Sequence, residues 1–196
     1  MNQEIEIEFK NLLTQNEFEL LMQKYNIFPS DFISQENHYF DTINFSLKAN
    51  QSALRIRKKQ NKYILTLKQP HEQGLLETHQ VLTQEQASNL LNSKTLEMID
   101  GTVKEAISNM GVNPDDLKYL GTLKTDRAQI MDGENILVLD HSFYLNHEDY
   151  ELEYEVKNFV EGKEKFGRIL KENNIPMRAT KNKITRFFEL KDKKED

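Results

Sequence analysis

Strict alternation of charged and apolar side chains is the feature that most constrains the fold of this chain. Over residues 4–10, acidic or basic side chains alternate with isoleucine and phenylalanine, and residues 151–157 alternate in the same way. A period of two is typical of β-strands, because successive side chains point to opposite faces of a sheet. The pattern therefore predicts strands with one apolar face and one charged face.

The same period predicts up to nine strands, and a helical period predicts four helices. The expected helices begin near Thr14, Thr83, Thr102 and Gly162, the first and third with the Thr-x-x-Glu spacing of a capping box. The expected strands cover residues 3–10, 36–41, 53–59, 62–69, 74–81, 117–130, 134–140, 149–157 and 183–190.

Asp132-Gly133 is typical of a two-residue hairpin turn and predicts antiparallel neighbours. Many antiparallel strands with a few helices indicate an α+β fold, and about eight strands are enough to close a barrel.

Composition excludes several classes of protein. The 196 residues contain no cysteine, which excludes disulfides, thiolate metal sites and a cysteine nucleophile. No uncharged apolar segment is long enough to cross a bilayer, and the amino terminus lacks the features of a secretory signal. We therefore expect a single cytoplasmic domain over residues 1–196, with a frayed tail at 191–196.

The net charge of -6 argues against a nucleic acid as the main ligand. The basic run at residues 55–59 has no interleaved aromatic residues on which bases could stack. We also expect no membrane partner.

The charges are segregated by strand. Two strands each place three carboxylates on one face: Glu4, Glu6 and Glu8, and Glu151, Glu153 and Glu155. Acids two residues apart on a strand lie roughly 7 Å apart, so they can converge on one divalent cation or on adjacent ones. Basic residues occupy other strands, and arginine and lysine are the residues that bind phosphates.

A simpler explanation also fits the alternation. An antiparallel sheet with one face on the core and one in water produces the same pattern. Three like charges on one face are destabilising without a counter-ion, however, and this arrangement occurs twice. The repeated acidic row therefore favours a functional site.

The segment Glu6-Ile7-Glu8-Phe9-Lys10 resembles the amino-terminal Glu-x-Glu-x-Lys signature of the CYTH superfamily, also called triphosphate tunnel metalloenzymes. This family includes class IV adenylate cyclase and thiamine triphosphatase. The similarity extends from residue 4 to about 188 through an ordered set of segments: Tyr39-Phe40-Asp41-Thr42, Ala53-Leu54-Arg55-Ile56-Arg57, Leu65-Thr66-Leu67-Lys68, Glu77, Arg127, Leu139-Asp140, Tyr150-Glu151-Leu152-Glu153 and Lys181-Asn182-Lys183.

The resemblance implies an eight-stranded antiparallel β-barrel with a charged tunnel and helices packed on the outside. It also implies Mg²⁺ or Mn²⁺ as cofactor and a triphosphate-containing small molecule as partner. The implied metal ligands are Glu6, Glu8, Glu151, Glu153 and Asp140. The implied phosphate-binding residues are Arg55, Arg57, Lys68, Arg127 and Lys183. The implied catalytic residues are Glu6, Glu8, Lys10 and Glu153, while Glu77 and Asp140 would orient basic residues or water.

Three details stay open. A shift of register by two would exchange Glu4 for Glu8, or Glu155 for Glu151. Lys124 and Arg127 lie on opposite faces unless a bulge intervenes, and we favour Arg127 as the phosphate-binding residue. His79 shares a face with Glu77 and has no ligand role in this interpretation.

Together these features predict a metal-dependent hydrolase of inorganic triphosphate or a nucleoside or other organic triphosphate. Two alternatives remain. One is an adenylate cyclase, which would release pyrophosphate from ATP. The other is a non-catalytic module that binds polyphosphate.

Overall fold

A computed structural model describes residues 3–93 and 100–195, with side chains up to residue 191. The strands β1 to β9, in chain order, are Gln3–Glu6, Glu8–Leu13, Ile33–Thr42, Ala53–Lys59, Lys62–His71, Gly74–Leu82, Leu117–Asp132, Asn135–Tyr144 and His147–Glu155. The helices α1 to α6 are Gln15–Lys24, Ser46–Ala49, Gln84–Ser93, Thr102–Asn109, Phe159–Glu172 and Lys183–Glu195. None of the described helices is long and apolar enough to span a membrane.

The strands form one sheet in the order β1-β6-β5-β4-β3-β7-β8-β9-β2. The order begins with β1 and ends with β2, and Ile7 alone separates these two strands along the chain. The single strand predicted at residues 3–10 is thus interrupted at Ile7, and its two parts supply both ends of the order. The antiparallel pairing of these strands, together with the helices, confirms the predicted α+β class.

The chain divides into two compact units, each built from two segments. The first unit comprises Met1–Glu6 and Gln35–Leu123, and the second comprises Ile7–Ser34 and Lys124–Asp196. Each unit has its own hydrophobic core, in which the apolar face of its strands packs against helices.

In the first unit, the apolar side chains of β4 and β5 are buried against α3 and α4. This core includes Leu54, Ile56, Leu65, Leu67, Leu90, Val103 and Ile107. In the second unit, the apolar side chains of β9 are buried against α1 and α5. That core includes Leu152, Tyr154, Val156, Phe18, Leu21, Phe166, Ile169 and Leu170. The alternating partners of these strand residues therefore point away from the helices.

The two predicted capping boxes differ in outcome. At α1, the Thr14 hydroxyl accepts from the backbone N–H of Glu17, and the Glu17 carboxylate accepts from the backbone N–H of Thr14, as predicted. At α4 the helix exists, but the predicted box at Thr102 is wrong. Gly101 occupies the N-cap position with φ +144°, so Thr102 is already inside the helix and cannot cap it.

The predicted hairpin joins β7 to β8. Asp132 lies opposite Asn135 in the ladder, so the two turn residues are Gly133 and Glu134, one position later than the dipeptide in the prediction. Gly133 has φ +66°, a conformation that favours glycine.

The predicted strand at residues 183–190 is wrong, because this segment is the start of α6. Ile184, Phe187 and Phe188 have the spacing of a helical stripe, and both phenylalanines are buried. The short alternation at residues 188–190 favoured a strand but is also compatible with a helix. The helix continues to Glu195, into the tail predicted to fray, and Asp196 lies outside the described residues.

Two glycines of α5 provide a matched test of packing. A Cβ at Gly162 would lie 2.6 Å from Cγ2 of Val156, whereas a Cβ at Gly167 would have no atom within 4 Å. We expect Gly162→Ala to lower the free energy of unfolding by about 1–3 kcal/mol through overpacking. We expect Gly167→Ala to raise it by about 0.5–1 kcal/mol, because alanine favours the helix. Urea unfolding of both variants measures the difference, and equal effects would contradict the packing at Gly162.

Glu17 predicts a pH-dependent contribution to stability. Arg178 donates to both of its carboxylate oxygens, at 2.8 and 2.9 Å, and this hydrogen bonding lowers the pKa of Glu17. We expect Glu17→Gln to cost about 1–2 kcal/mol at pH 7. Since the pKa is lower in the folded state, the cost should be complete above pH 4.5 and should disappear as the pH falls below that ordinary value.

The control for this prediction is Glu19→Gln, a change at an exposed residue of the same helix. The unfolding curves of Glu17→Gln and the unchanged protein should differ at pH 7 and lie closer together at pH 3. A cost at pH 3 as large as that at pH 7 would contradict the role of the charged pair.

Candidate active site

Lys183 lies at the centre of a buried charge cluster in the second unit. Its Nζ lies 2.9 Å from Oδ2 of Asp140, 2.7 Å from Oε2 of Glu151 and 2.5 Å from Oε1 of Glu153. Asp140 and Glu151 lie opposite each other on β8 and β9. Burial lowers the pKa of Lys183, but the three carboxylates outweigh burial and raise it well above its ordinary value. Lys183 therefore stays a cation.

Arg127 binds the same carboxylates from β7. It forms a two-pronged pair with Asp140, at 2.7 Å from Nε to Oδ1 and 2.6 Å from Nη2 to Oδ2, and Nη2 also donates to Glu153 at 2.5 Å. The β7–β8 ladder pairs residues 124–132 without a break, so no bulge intervenes. Lys124 accordingly lies near Asp126, at 3.6 Å, and does not join the cluster.

Glu153 is held in its charged form. Burial raises the pKa of its carboxyl, but Arg127 and Lys183 bring it well below the usual range. Lys10 lies directly opposite Glu153 in the β2–β9 ladder, and its Nζ is 2.5 Å from Oε1 of Glu8. The predicted site residues of β2 and of β9 therefore lie next to each other.

Arg186 and Asp149 extend the cluster and are absent from the sequence-based predictions. Arg186 donates from Nε to Oδ2 of Asp149 at 2.9 Å and from Nη2 to Oε2 of Glu151 at 2.6 Å. Because Lys183 and Arg186 are three residues apart, they share one face of α6. The helical spacing of residues 183–188 is the signal that could have identified Arg186.

Among the residues that the structure describes, one acceptor of this cluster lacks a hydrogen-bond donor. It is Oε1 of Glu151, which is buried. A buried carboxylate oxygen without a donor is costly unless a cation binds it. Carboxylate oxygens are also the ligands that Mg²⁺ and Mn²⁺ prefer, so the donor set fits the divalent metal that the resemblance implies.

The first unit holds a second group of charges. Lys68 contacts the carboxylates of both Glu6 and Glu77, and it lies directly opposite Glu77 in the β5–β6 ladder. Burial raises the pKa of Glu77, but Lys68 and Arg55 together lower it to about 2.

The two arginines of β4 differ in their contacts. Arg57 donates from Nε to Oδ1 of Asn37 at 2.9 Å, across the ladder from β3. Within the described part of the chain, Nε of Arg55 is buried and has no hydrogen-bond partner. A buried guanidinium donor without a partner is suited to bind an anion.

The structure thus places the predicted site residues in both units. The first unit contains Glu6, Arg55, Arg57, Lys68 and Glu77. The second unit contains Glu8, Lys10, Arg127, Asp140, Glu151, Glu153 and Lys183. Each of the five predicted metal ligands contacts a lysine or arginine. Glu4, the alternative to Glu8, instead contacts His79.

Comparison with known proteins covers the same residues as the resemblance found in the sequence. The family model described as the CYTH domain matches residues 4–188. The Bacillus subtilis protein named "Putative triphosphatase YjbK" is 46% identical over 193 residues, which are 98% of this chain and 99% of that protein.

Solved structures show the same fold. A Bacillus halodurans protein described as a putative adenylate cyclase has a TM-score of 0.92 and 44% identity, covering 96% of this chain and 100% of that one. A Hippeastrum protein, described as a putative adenylyl cyclase with a dominant triphosphatase activity, has a TM-score of 0.78 and 27% identity, covering 94% of this chain and 96% of that one. The match over residues 4–188 and the identity to these relatives show that the chain belongs to the CYTH domain family.

Proposed function

We propose that this chain is a metal-dependent triphosphatase that hydrolyses inorganic triphosphate or a nucleoside triphosphate. The proposal rests on the two charge clusters and on the family to which the chain belongs. It assigns acidic residues to a divalent cation, and basic residues to the phosphates.

The observation that carries the proposal is the crowding of buried carboxylates in the second unit. Asp140, Glu151 and Glu153 surround Lys183. In the described part of the chain, Oε1 of Glu151 has no hydrogen-bond donor. A divalent cation would compensate the charge of such an oxygen. A triphosphate adds further negative charge, so its binding here requires an accompanying cation.

The residues of the site have separate tasks in this proposal. Glu6, Glu8, Asp140, Glu151 and Glu153 would hold Mg²⁺ or Mn²⁺. A divalent cation supplies Lewis acidity to the phosphoryl oxygens and favours attack by water. The phosphates would be bound and oriented by Arg55, Arg57, Lys68, Arg127 and Lys183. Lys10, which lies beside Glu8, would contact the substrate. Positioning and electrostatic stabilisation are the main requirements of phosphoryl transfer.

The descriptions of two relatives support hydrolysis, since YjbK is called a triphosphatase and the Hippeastrum protein has a dominant triphosphatase activity. The description of the Bacillus halodurans protein favours a second candidate, cyclisation of ATP. Hydrolysis releases inorganic phosphate, whereas cyclisation releases pyrophosphate and a cyclic nucleotide. Analysis of the products separates the two.

The first test measures phosphate release from tripolyphosphate with Mg²⁺ or Mn²⁺. We expect Glu6→Gln and Glu153→Gln to lose more than about 100-fold in kcat/KM, because even outer partners of metal ligands contribute 10–100-fold. We also expect a chelator to abolish the activity of the unchanged protein.

The matched control is Glu148→Gln, which changes an exposed carboxylate of the same strand as Glu153. This variant should keep full activity. Phosphate release that persists in the two site variants or in the presence of chelator would contradict the proposal, and so would tight triphosphate binding without turnover.

A second test uses the buried Nε of Arg55, which has no hydrogen-bond partner among the residues that the structure describes. We expect Arg55→Gln to raise the KM for tripolyphosphate by about 10–100-fold, since a hydrogen bond to a charged group contributes about 1.5–3 kcal/mol. Lys58→Gln, on the same strand, removes the charge of a side chain that is 40% exposed and should change KM less than about threefold. Equal effects of the two changes would mean that Arg55 does not bind phosphate.

A further inference from the structure

Three side chains of the first unit that could bind a metal converge next to Lys68. Nε2 of His79 lies 3.1 Å from Oε1 of Glu4 and 3.2 Å from Oε2 of Glu77. Each of these three residues offers one ligand atom, and among the described residues these three atoms lie within 4.8 Å of one another. The group differs from the acidic rows because one of its three ligands is an imidazole.

The strand register explains why the three side chains meet. Glu4 lies directly opposite Glu77 in the β1–β6 ladder, and His79 is two residues beyond Glu77 on the same face of β6. Two carboxylates that are directly opposite destabilise a sheet unless a positive charge lies between them. The imidazole nitrogen points into this space, so either a proton or a metal ion must separate it from the two oxygens.

A neighbouring hydroxyl fixes the orientation of the ring. Oγ1 of Thr66 lies 3.0 Å from Nδ1 of His79, and Thr66 is opposite His79 in the β5–β6 ladder. When Nδ1 donates to this hydroxyl, Nε2 keeps its lone pair for a metal. Imidazole ligands of metals commonly have their other ring nitrogen hydrogen-bonded in this way.

The distances also fit a metal with short bonds. Four ligands at 2.0–2.1 Å in a tetrahedron are separated by roughly 3.3 Å, close to the two measured separations of His79. Glu77 can serve this group and Lys68 together, because Lys68 contacts its Oε1 while Oε2 lies near His79. Glu4 is largely exposed, which leaves an open side for a fourth ligand from water.

We propose that Glu4, Glu77 and His79 form a separate site for a divalent transition metal of the zinc class. An imidazole with two carboxylates suits Zn²⁺ and Co²⁺, whereas Mg²⁺ prefers oxygen ligands alone. The site requires no triphosphate and does not depend on the proposed hydrolysis.

The experiment titrates the metal-free full-length protein with Co²⁺. Visible absorption reports the ligand environment, and equilibrium dialysis counts the equivalents bound. We expect one equivalent that Zn²⁺ displaces and that Mg²⁺ does not. His79→Gln and Glu4→Gln should each weaken this equivalent by at least about tenfold and remove its absorption band.

Two controls make the result specific. His141→Gln removes another imidazole–carboxylate pair, in which Nε2 lies 2.8 Å from a single carboxylate, that of Glu148, and it should leave the titration unchanged. Glu153→Gln should retain the His79-dependent equivalent even if it abolishes phosphate release, so a failure of one proposal can be distinguished from a failure of the other.

The proposal is overturned if the unchanged protein binds no Co²⁺ equivalent that depends on His79. It is also overturned if His79→Gln, folded by circular dichroism, gives the same absorption and stoichiometry as the unchanged protein. In either case the three side chains form hydrogen bonds with one another and bind no metal.

Discussion

The alternating strands bury charged side chains, and the structure depends on the pairing of these buried charges. Asp140 and Glu151 have no exposed side-chain surface, and each contacts two cations. Removing one partner of a buried pair typically costs about 3–5 kcal/mol, because the remaining charge is uncompensated. The acidic strand β9 is therefore compatible with folding only because β7 and α6 supply Arg127, Lys183 and Arg186 to the same place.

The opposite face of the same strands provides the stability. Leu152 and Tyr154 alternate with the buried acids of β9 and pack into the core formed with α1 and α5. Burial of such side chains contributes about 1.5–3 kcal/mol each, whereas a buried ion pair often contributes little in net terms. This separation follows from the period of two. The apolar face of each strand packs in the core and stabilises the unit, whereas the other face carries the charged side chains of the candidate site.

The sequence predicts most of this arrangement because the period of two is a strong local signal. It identifies β4 with the observed bounds, Ala53–Lys59, and it separates Arg127 from Lys124 by face alone. It fails at residues 183–190, where buried Phe187 and Phe188 are adjacent and fit a helix better than a strand. That error hides Arg186, because only a helix places it beside Lys183. The spacing places His79 on the same face as Glu77, but it does not indicate Glu4, which is 75 residues away and comes close only through the β1–β6 register.

The interruption at Ile7 gives the acidic residues of the first predicted strand different surroundings. Glu4 and Glu6 belong to β1, which pairs with β6, whereas Glu8 and Lys10 belong to β2, which pairs with β9. Glu4 therefore meets an imidazole, Glu6 meets Lys68, and Glu8 meets Lys10. Identical side chains at a regular spacing thus acquire partners of different chemistry, a nitrogen ligand in one case and lysines in the others. A cation that prefers nitrogen and a cation that prefers oxygen would accordingly be drawn to different members of one acidic row.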